Sequence, residues 1–414
     1  MATRYIAGAA VAAALLAAPA AAAGQRQPKD WTILVFVNGK NNLSPFVSRD
    51  INEMERFGPA DNMNVVIQAA RFPEPAAPAP YSPSNPYTPG GGFGGFRAGK
   101  DWSGARRYLL KGDGADPAIS SELLEELGNV DMGDWRRLEE FGRWAKAAYP
   151  ARRYMLIVWN HGSGWLLRDS EIPDDDGRAI SSDDETGNSI EVPELAAALK
   201  GMGGADVYAS DACLMQMAEV VYELRREAGV IVGSEANEPG DGWDYSAFLS
   251  RLHSNKDNLT PEVVAAAAVQ GFRAAHEFAD EPATLSAVRA GAAEELRALL
   301  DEWALQAMKE DREELSRAWD DTLKFGWAGS RDLADFLTLV HEGGASRELK
   351  ALTDKVLRHY YSAMLLQSEA AGPGMVAARG LAVYMPGRYD PSYGRLLWSR
   401  DGKWDDFLRW IMGV

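Results

Sequence analysis

Residues 154–164 read YMLIVWNHGSG, a continuous apolar run followed at once by Asn, His and two glycines. A second run of the same design, DVYASDACLM, occupies residues 206–215. Continuous apolar runs of this length are typical of strands that are covered on both faces of a parallel sheet. In such sheets, ligands bind beyond the carboxyl ends of the strands. The two runs therefore predict a sheet that carries His161 and Cys213 on one edge.

Further strand-like runs and the helical patterns between them indicate an α/β fold, with a mostly parallel sheet flanked by helices. The other predicted strands cover residues 32–37, 65–68, 230–233, 285–288 and 381–384. Helices are predicted over residues 138–148, 193–201, 215–226 and 261–278. Beyond about residue 290 the chain is mostly helical, with predicted helices over residues 292–309, 312–324, 333–340, 347–366 and 404–412.

The first 23 residues predict a secretory signal peptide, because one Arg precedes an Ala/Leu-rich apolar core that ends in small residues. A transmembrane anchor is the alternative, and no later segment is apolar enough to span a bilayer. We therefore expect a bacterial protein that is secreted or periplasmic, with no stable membrane span after cleavage. Residues 72–104 are rich in Pro, Gly, Ser and aromatic residues, which predicts a flexible surface loop.

The formal net charge of −17 argues against nucleic acid or anionic lipid as a partner, since both attract clustered Lys and Arg. An acidic protein attracts basic ligands, and the charge is compatible with a basic peptide substrate.

Cys213 is the only cysteine among 414 residues, and His161 is one of five histidines. Cysteines of secreted proteins usually pair in disulfides, whereas a single one is either a small buried side chain or a reactive thiol. A strand followed directly by a helix from residue 215 would place the thiol at the positive helix end, which favours thiolate. The pair could then act as nucleophile and base, with the backbone N–H groups of Gly162 and Cys213 as an oxyanion hole.

Two other hydrolase classes lack their motifs in this chain. No G-x-S-x-G nucleophile elbow is present. His276 and His341 are each followed by Glu, but no second His comes four residues later, as a zinc hydrolase motif requires.

The two strand-turn segments together resemble the signature of the caspase-like cysteine peptidases, and within that group the chain is similar to the clostripain family. The segments that carry the resemblance lie mainly between residues 30 and 250, and one further segment lies near the C-terminus. They are residues 31–42 (WTILVFVNGKNN), 107–110, 128–133 (GNVDMG), 160–165 (NHGSGW), 183–186 (DDET), 210–215 (SDACLM), 223–224, 233–235, 239–245 (PGDGWDY) and 380–386 (GLAVYMP).

The resemblance implies that Cys213 attacks the scissile carbonyl while His161 handles the proton. It also implies cleavage of peptide or protein substrates after a basic residue, Arg or Lys, that pairs with a carboxylate of the S1 pocket. Asp211 and Asp241 are the candidates; Asp211 lies two residues before Cys213 and would share its face if the strand continued. A loop or helix-capping role for both aspartates stays open.

Enzymes of this family cut themselves between the His and the Cys, and the resemblance implies the same here. The acidic loop of residues 168–189 offers Arg178, the favoured site, and Arg168; a permanently intact loop is the alternative. Calcium can serve such enzymes, but the loop has no EF-hand spacing and no metal ligand is assigned.

The resemblance also suggests a division into a signal peptide (1–23), a caspase-like catalytic domain (24–255) with residues 72–104 as a loop insertion, and a mostly helical C-terminal region (256–414) that completes the fold. Two functional alternatives remain. One is a catalytically silent secreted binding or scaffold protein, and the other is a Cys-His transamidase.

Overall fold

A computed structural model describes residues 27–72, 102–114, 118–172, 179–277, 280–326 and 329–414. The predicted signal peptide and nearly all of the Pro/Gly-rich tract lie outside these ranges, so both predictions stay untested.

The described strands, in chain order, are β1 Lys29–Gly39, β2 Met63–Arg71, β3 Gly104–Leu109, β4 Glu122–Gly128, β5 Ala151–Trp159, β6 Ile180–Asp183, β7 Asn188–Ile190, β8 Ala205–Asp211, β9 Ala228–Gly233, β10 Ala283–Arg289, β11 Lys324–Phe325, β12 Ser330–Asp332, β13 Leu365–Ala371 and β14 Ala382–Tyr384. The described helices are α1 Phe46–Phe57, α2 Trp135–Ala148, α3 Val192–Gly201, α4 Ala218–Leu224, α5 Tyr245–Ser254, α6 Pro261–His276, α7 Ala293–Ala307, α8 Arg312–Asp321, α9 Leu333–Glu342, α10 Arg347–His359, α11 Leu397–Asp401 and α12 Trp404–Met412.

The main sheet of the described chain has the strand order β13-β10-β9-β8-β5-β1-β2-β3-β4. Its middle, from β9 to β2, is parallel throughout, and antiparallel strands close both sides. The α/β fold with a mostly parallel sheet flanked by helices is therefore confirmed.

Each of the predicted strand runs forms a strand, but the last of them, β14, belongs to a small antiparallel sheet with β11 and β12. The helix predicted over residues 347–366 is wrong at its end. The α-helix stops at His359, a π-helical turn covers Tyr360–Met364, and strand β13 begins at Leu365, so helical structure ends two residues before the predicted limit.

Two apolar layers cover the faces of the sheet, and strand β1 supplies both of them in alternation. Leu34 and Phe36 point into one layer, while Ile33 and Val35 point into the other. Helices α1, α5 and α6 cover the second layer, and most other helices lie on the first. Burial on both faces explains why the central strands are apolar without interruption.

Helix α6 shows how the sequence sets an element boundary on this scaffold. The Thr260 hydroxyl accepts a hydrogen bond from the N–H of Val263 (3.3 Å), and Pro261 occupies the first helical position. Both features satisfy or remove N–H groups that would otherwise lack partners at a helix start.

The region after residue 255 contributes directly to the main sheet through β10 and β13. It also supplies α6 to one apolar layer and α7 to α12 to the other. The division of the chain near residue 255 stays a prediction. In the part of the chain described here, no helix has the length and apolar character needed to cross a membrane.

Candidate active site

His161 and Cys213 follow neighbouring strands at matched positions. In the parallel pair of β5 and β8, Trp159 is in register with Asp211. Each candidate residue comes two positions later, so both lie at the same step beyond the carboxyl edge of the sheet. The N–H of Asn160 also donates to the carbonyl of Asp211 (3.2 Å), which extends the pairing beyond the strands.

The two turns that follow these strands are in backbone contact. A Cβ atom placed on Gly162 would lie 2.4 Å from the carbonyl oxygen of Cys213 and 3.0 Å from the Cβ of Ala212. Glycine is therefore required at residue 162, since any side chain there would push the two turns apart. The oxyanion-hole assignment of the Gly162 and Cys213 N–H groups stays a prediction.

Asn160 fixes the turn that carries His161. Its side-chain amide donates to the carbonyl of Asn38, at the end of β1. Its Oδ1 atom accepts a hydrogen bond from the N–H of Ser182 (2.8 Å). Because these partners belong to different elements of the edge, the turn is held from both sides.

His161 itself contacts Asn42, which follows the neighbouring strand β1. The Nε2 atom of His161 lies 2.5 Å from Oδ1 of Asn42. In this orientation the Nε2–H donates to the amide oxygen, which makes Nδ1 the basic nitrogen of the ring. Asp184 lies on the same edge; burial raises the pKa of its carboxyl group, and the charge of His161 opposes that rise.

Cys213 is half-buried in a turn and not at the start of a helix. Strand β8 ends at Asp211, Leu214 has a positive φ of 62°, and α4 begins only at Ala218. The prediction of a helix from residue 215 was therefore wrong, and with it the helix-end argument for the thiolate. The Sγ atom instead accepts the backbone N–H of Glu238 at 3.3 Å.

Asp211 is buried on the opposite side of the sheet from the apolar layer that Cys213 contacts. Since β8 does not continue past Asp211, the expected shared face is not formed. The hydroxyl of Tyr245 donates to its Oδ2 atom (2.7 Å). Burial raises the pKa of Asp211 to about 6, and the adjacent Glu238 carboxyl group, the Tyr245 hydroxyl and the Trp243 backbone oppose the rise.

Asp241 is half-exposed and forms an ion pair with Arg49 of α1, with Nη1 and Oδ1 at 2.6 Å. It lies in a tight turn in which the N–H of Gly242 donates to the carbonyl of Pro239 (2.8 Å). A Cβ atom on Gly242 would be 3.1 Å from Oδ1 of Asp211. The two predicted S1 aspartates are therefore neighbours, and Asp241 already has a cationic partner.

Of the two arginines proposed for self-processing, the structure describes Arg168 and not Arg178. Arg168 is held by Glu191 and Glu194, at 3.3 and 2.7 Å, and it also donates to the carbonyl of Ser189. Arg178 lies outside the described residues. The chain resumes at Ala179, which is buried and whose carbonyl accepts the N–H of Ser163 (2.8 Å), two residues after His161.

In the acidic loop considered for calcium, the described carboxylate of Asp183 is bound by other protein groups. Asp183 pairs with Lys40 (3.1 Å) and accepts the N–H of Met132 (2.9 Å). Among the described residues, no group of three or more His, Cys, Asp or Glu side chains could hold a metal ion. Residues 174–176 lie outside the described ranges, so calcium binding stays untested.

Sequence reasoning assigned no role to Asn42, Arg49, Glu238 or Tyr245. Asn42 comes three residues after the end of β1, at the same edge of the sheet as His161, and residues beyond a predicted strand end were the ones considered for the site. Glu238 and Tyr245 approach the site from beyond β9, and no motif in the sequence indicated their contacts.

Comparison with known proteins identifies the family of the chain. The model of the clostripain family matches residues 35–410 of the chain. Clostripain from Hathewaya histolytica is 28% identical over 251 residues, which make up 55% of this chain and 44% of clostripain. This chain thus spans less than half the length of that relative.

Two solved structures share the fold. A secreted cysteine protease from Bacteroides thetaiotaomicron, in complex with an irreversible peptide inhibitor, has a TM-score of 0.64 at 18% identity and covers 92% of this chain and 99% of its own. An inactive zymogen protease from Parabacteroides distasonis has a TM-score of 0.63 at 20% identity, with 91% and 99% coverage. Since the family model extends over nearly the whole chain, this protein belongs to the clostripain family of cysteine proteases.

Proposed function

We propose that this protein is a secreted cysteine endopeptidase that cleaves after basic residues, with Cys213 and His161 as its catalytic dyad. One observation carries the proposal: the two residues lie in matched positions beyond paired strands, and their turns are in contact. A thiol and an imidazole aligned in this way provide a nucleophile and a proton acceptor at one point.

In the proposed reaction, the Cys213 thiolate attacks the carbonyl carbon of the scissile bond. A carbon–sulfur bond forms, and the oxyanion is stabilised by backbone N–H groups, for which Gly162 and Cys213 are the candidates. The C–N bond then breaks as the protonated His161 gives its proton to the leaving amine. Water hydrolyses the resulting thioester and restores the thiol.

The preference for a basic residue before the scissile bond (P1) is supported by the charges around the site. Asp211 and Glu238 are buried beside each other, and Asp50 lies close enough for the Asp211 charge to raise its pKa further. A guanidinium or ammonium group would compensate this concentration of carboxylates. Asp241 adds a half-exposed carboxylate on the neighbouring turn.

Self-processing belongs to the same proposal. Arg178 precedes Ala179, whose carbonyl is hydrogen-bonded to the turn that follows His161. A cut after Arg178 would therefore lie next to a residue that is hydrogen-bonded to the His161 turn. Arg168 is the weaker candidate, because its ion pairs with Glu191 and Glu194 would have to break before it could act as P1.

Secretion is proposed from the signal-like residues 1–23. The relative from B. thetaiotaomicron is itself described as a secreted protease. A role for calcium is supported only by the resemblance to the family.

The test is hydrolysis of matched fluorogenic peptides that end in Arg, Lys or Asp before the reporter group. The wild type is expected to cleave the Arg and Lys peptides. Cys213→Ala should abolish hydrolysis without unfolding the protein, and His161→Ala should lower turnover by at least about 10³-fold, because nucleophile and base act as a unit. Wild-type rates in Cys213→Ala would overturn the proposal.

A further inference from the structure

Glu238 touches the candidate nucleophile through its backbone. Its N–H donates to Sγ of Cys213 at 3.3 Å, although the two residues lie 25 positions apart. The same turn is held by the N–H of Leu214, which donates to the carbonyl of Ala236 (3.1 Å). The segment after β9 therefore lies directly against the reactive thiol.

The side chain of Glu238 is buried, with only 9% of the residue exposed. Neither of its carboxylate oxygens makes a well-formed hydrogen bond to a described donor. The polar groups beside it are the Asp211 carboxyl and the N–H of Ala212. A buried carboxylate without strong donors is costly and calls for a compensating group.

Asp211 provides the second half of this arrangement. Its Oδ2 atom receives the Tyr245 hydroxyl, and Gly242 covers its Oδ1 atom. Burial raises the pKa of Glu238 well above its ordinary range, and the adjacent Asp211 carboxylate raises it further. Ionisation of both carboxyl groups at once is unfavourable, because two adjacent buried carboxylates repel each other.

A positive charge is missing from this pair within the described part of the chain. Among the described residues, no Lys, Arg or His side chain forms an ion pair with Asp211 or Glu238. Two such residues contact the neighbouring turn. Arg49 is paired with Asp241, and the Nε2 atom of His276 lies 2.9 Å from the carbonyl oxygen of Gly242. A cation from the substrate would compensate both carboxylates and donate hydrogen bonds to both at once.

We propose that Glu238 is a specificity-determining residue that receives the P1 cation jointly with Asp211 and, through its own N–H group, links an occupied S1 pocket to the Cys213 sulfur. This inference rests on the proposed peptidase function and adds a residue to its substrate recognition. The planar guanidinium of Arg presents several N–H donors in a fixed fork, which suits two adjacent carboxylates.

The test compares wild type with Glu238→Gln, which retains the backbone N–H and nearly the shape of the side chain. The matched control is Glu223→Gln, also a buried glutamate but one that accepts the N–H of Leu397 at the far end of α4. Two peptides are used that differ only at P1, where one carries Arg and the other carries citrulline, its uncharged analogue.

Wild type and Glu223→Gln are expected to prefer the Arg peptide in kcat/KM. In Glu238→Gln this preference should fall by about 10- to 100-fold, the loss expected for one charge-assisted hydrogen bond. An unchanged preference in a folded Glu238→Gln variant, judged by its Tm, would overturn the inference.

A second measurement separates the inference from the proposed function. Cys213 is alkylated with iodoacetamide in the presence of acetyl-arginine amide or acetyl-citrulline amide. Selective protection by the arginine compound should be present in wild type and lost in Glu238→Gln, even if neither peptide is hydrolysed. Absence of hydrolysis in wild type would defeat only the peptidase proposal, whereas protection that is equal for both compounds, or intact in Glu238→Gln, would defeat the inference.

Discussion

The Nε2 atom of His161 and the Oδ1 atom of Asn42 lie 2.5 Å apart, and the two residues follow adjacent strands of the same sheet. The amide oxygen fixes both the rotation of the imidazole and the nitrogen that carries its proton. It thereby orients the other ring nitrogen, which is the one available for proton transfer.

Replacing Asn42 with Ala should therefore lower kcat by about 10- to 100-fold, because misplacement of a catalytic group by even 1 Å has an effect of that order. KM should change little, since the amide has no assigned contact with substrate. Steady-state kinetics on the Arg peptide would measure both constants. A normal kcat with a raised KM would contradict the positioning role.

Substitution of Gly162 by Ala should inactivate the enzyme by displacing the two turns. The added Cβ atom would meet the Cys213 carbonyl at 2.4 Å, and a backbone atom cannot swing aside. We expect kcat/KM to fall by about 100-fold or more. The control is Gly291→Ala, since a Cβ at Gly291 has no atom within 4 Å; equal kinetics in the two variants would contradict the contact.

The Arg49–Asp241 ion pair gives a sharper test of the S1 assignment than loss of Asp241 alone. Asp241→Asn removes a carboxylate from the neighbouring turn and one of the ion-pair partners of Arg49, which keeps its ion pair with Glu53, so kcat/KM for Arg peptides should fall by about 10- to 100-fold. Asp211→Asn should have a similar effect. Adding Arg49→Gln to Asp241→Asn should restore part of the loss, because the repelling cation is removed.

Peptides that end in Asp provide the comparison for these variants. If the wild type cleaved Asp-ended and Arg-ended peptides equally well, neither aspartate would act in selection of a basic residue.

Self-processing can be tested by intact mass spectrometry of purified wild type, Cys213→Ala, Arg178→Ala and Arg168→Ala. Wild type and Arg168→Ala should yield two fragments, whereas Cys213→Ala and Arg178→Ala should remain single chains. The difference between the arginines is expected because Arg168 is held in ion pairs. A single chain in an active wild-type preparation would exclude self-processing.

Glu219 predicts a pH dependence of stability. It is fully buried, and burial raises its pKa to about 7, while hydrogen bonds from the Tyr384 N–H and the Tyr393 hydroxyl oppose the rise. Since the pKa of a Glu in the unfolded chain is about 4.3, below its value in the fold, protonation of Glu219 favours the folded state. This stabilisation is complete below about pH 4 and is lost as the pH rises through about 7.

Urea unfolding at pH 5 and pH 8 would measure the effect. Wild type should be less stable at pH 8, and Glu219→Gln should reduce the difference by up to roughly 3 kcal/mol. An identical pH dependence in both proteins would show that the Glu219 carboxyl does not titrate in this interval.

The parts of the fold that sequence reasoning predicted are those whose burial leaves a pattern. Strands β5 and β8 are apolar because both of their faces are covered, and the same pattern located His161 and Cys213. Strand β4 was missed, because its sequence ELLEELG consists of helix-favouring Glu and Leu at an exposed sheet edge. Pairing with β3 determines the conformation of β4, and the sequence of β4 alone does not indicate that pairing.

The parts of the site that could not be predicted are contacts between distant segments. Arg49 and Asp241 are 192 positions apart in the sequence. In its own segment, each of them has the pattern of an ordinary surface charge. The N–H of Glu238 reaches Cys213 only because the chain turns back after β9. Hydrophobic periodicity assigns elements to a layer, but it does not determine how a loop returns over the sheet.

The register between β5 and β8 has a consequence for how this family can vary. Alignment of His161 with Cys213 depends on the hydrogen-bond ladder of the sheet and not on the covalent connection between them. Doubling the length of a flexible connection costs only about 0.6 kcal/mol of closure entropy. The stretch between the two strands can therefore lengthen, shorten or change composition over evolutionary time while the distance between thiol and imidazole stays the same.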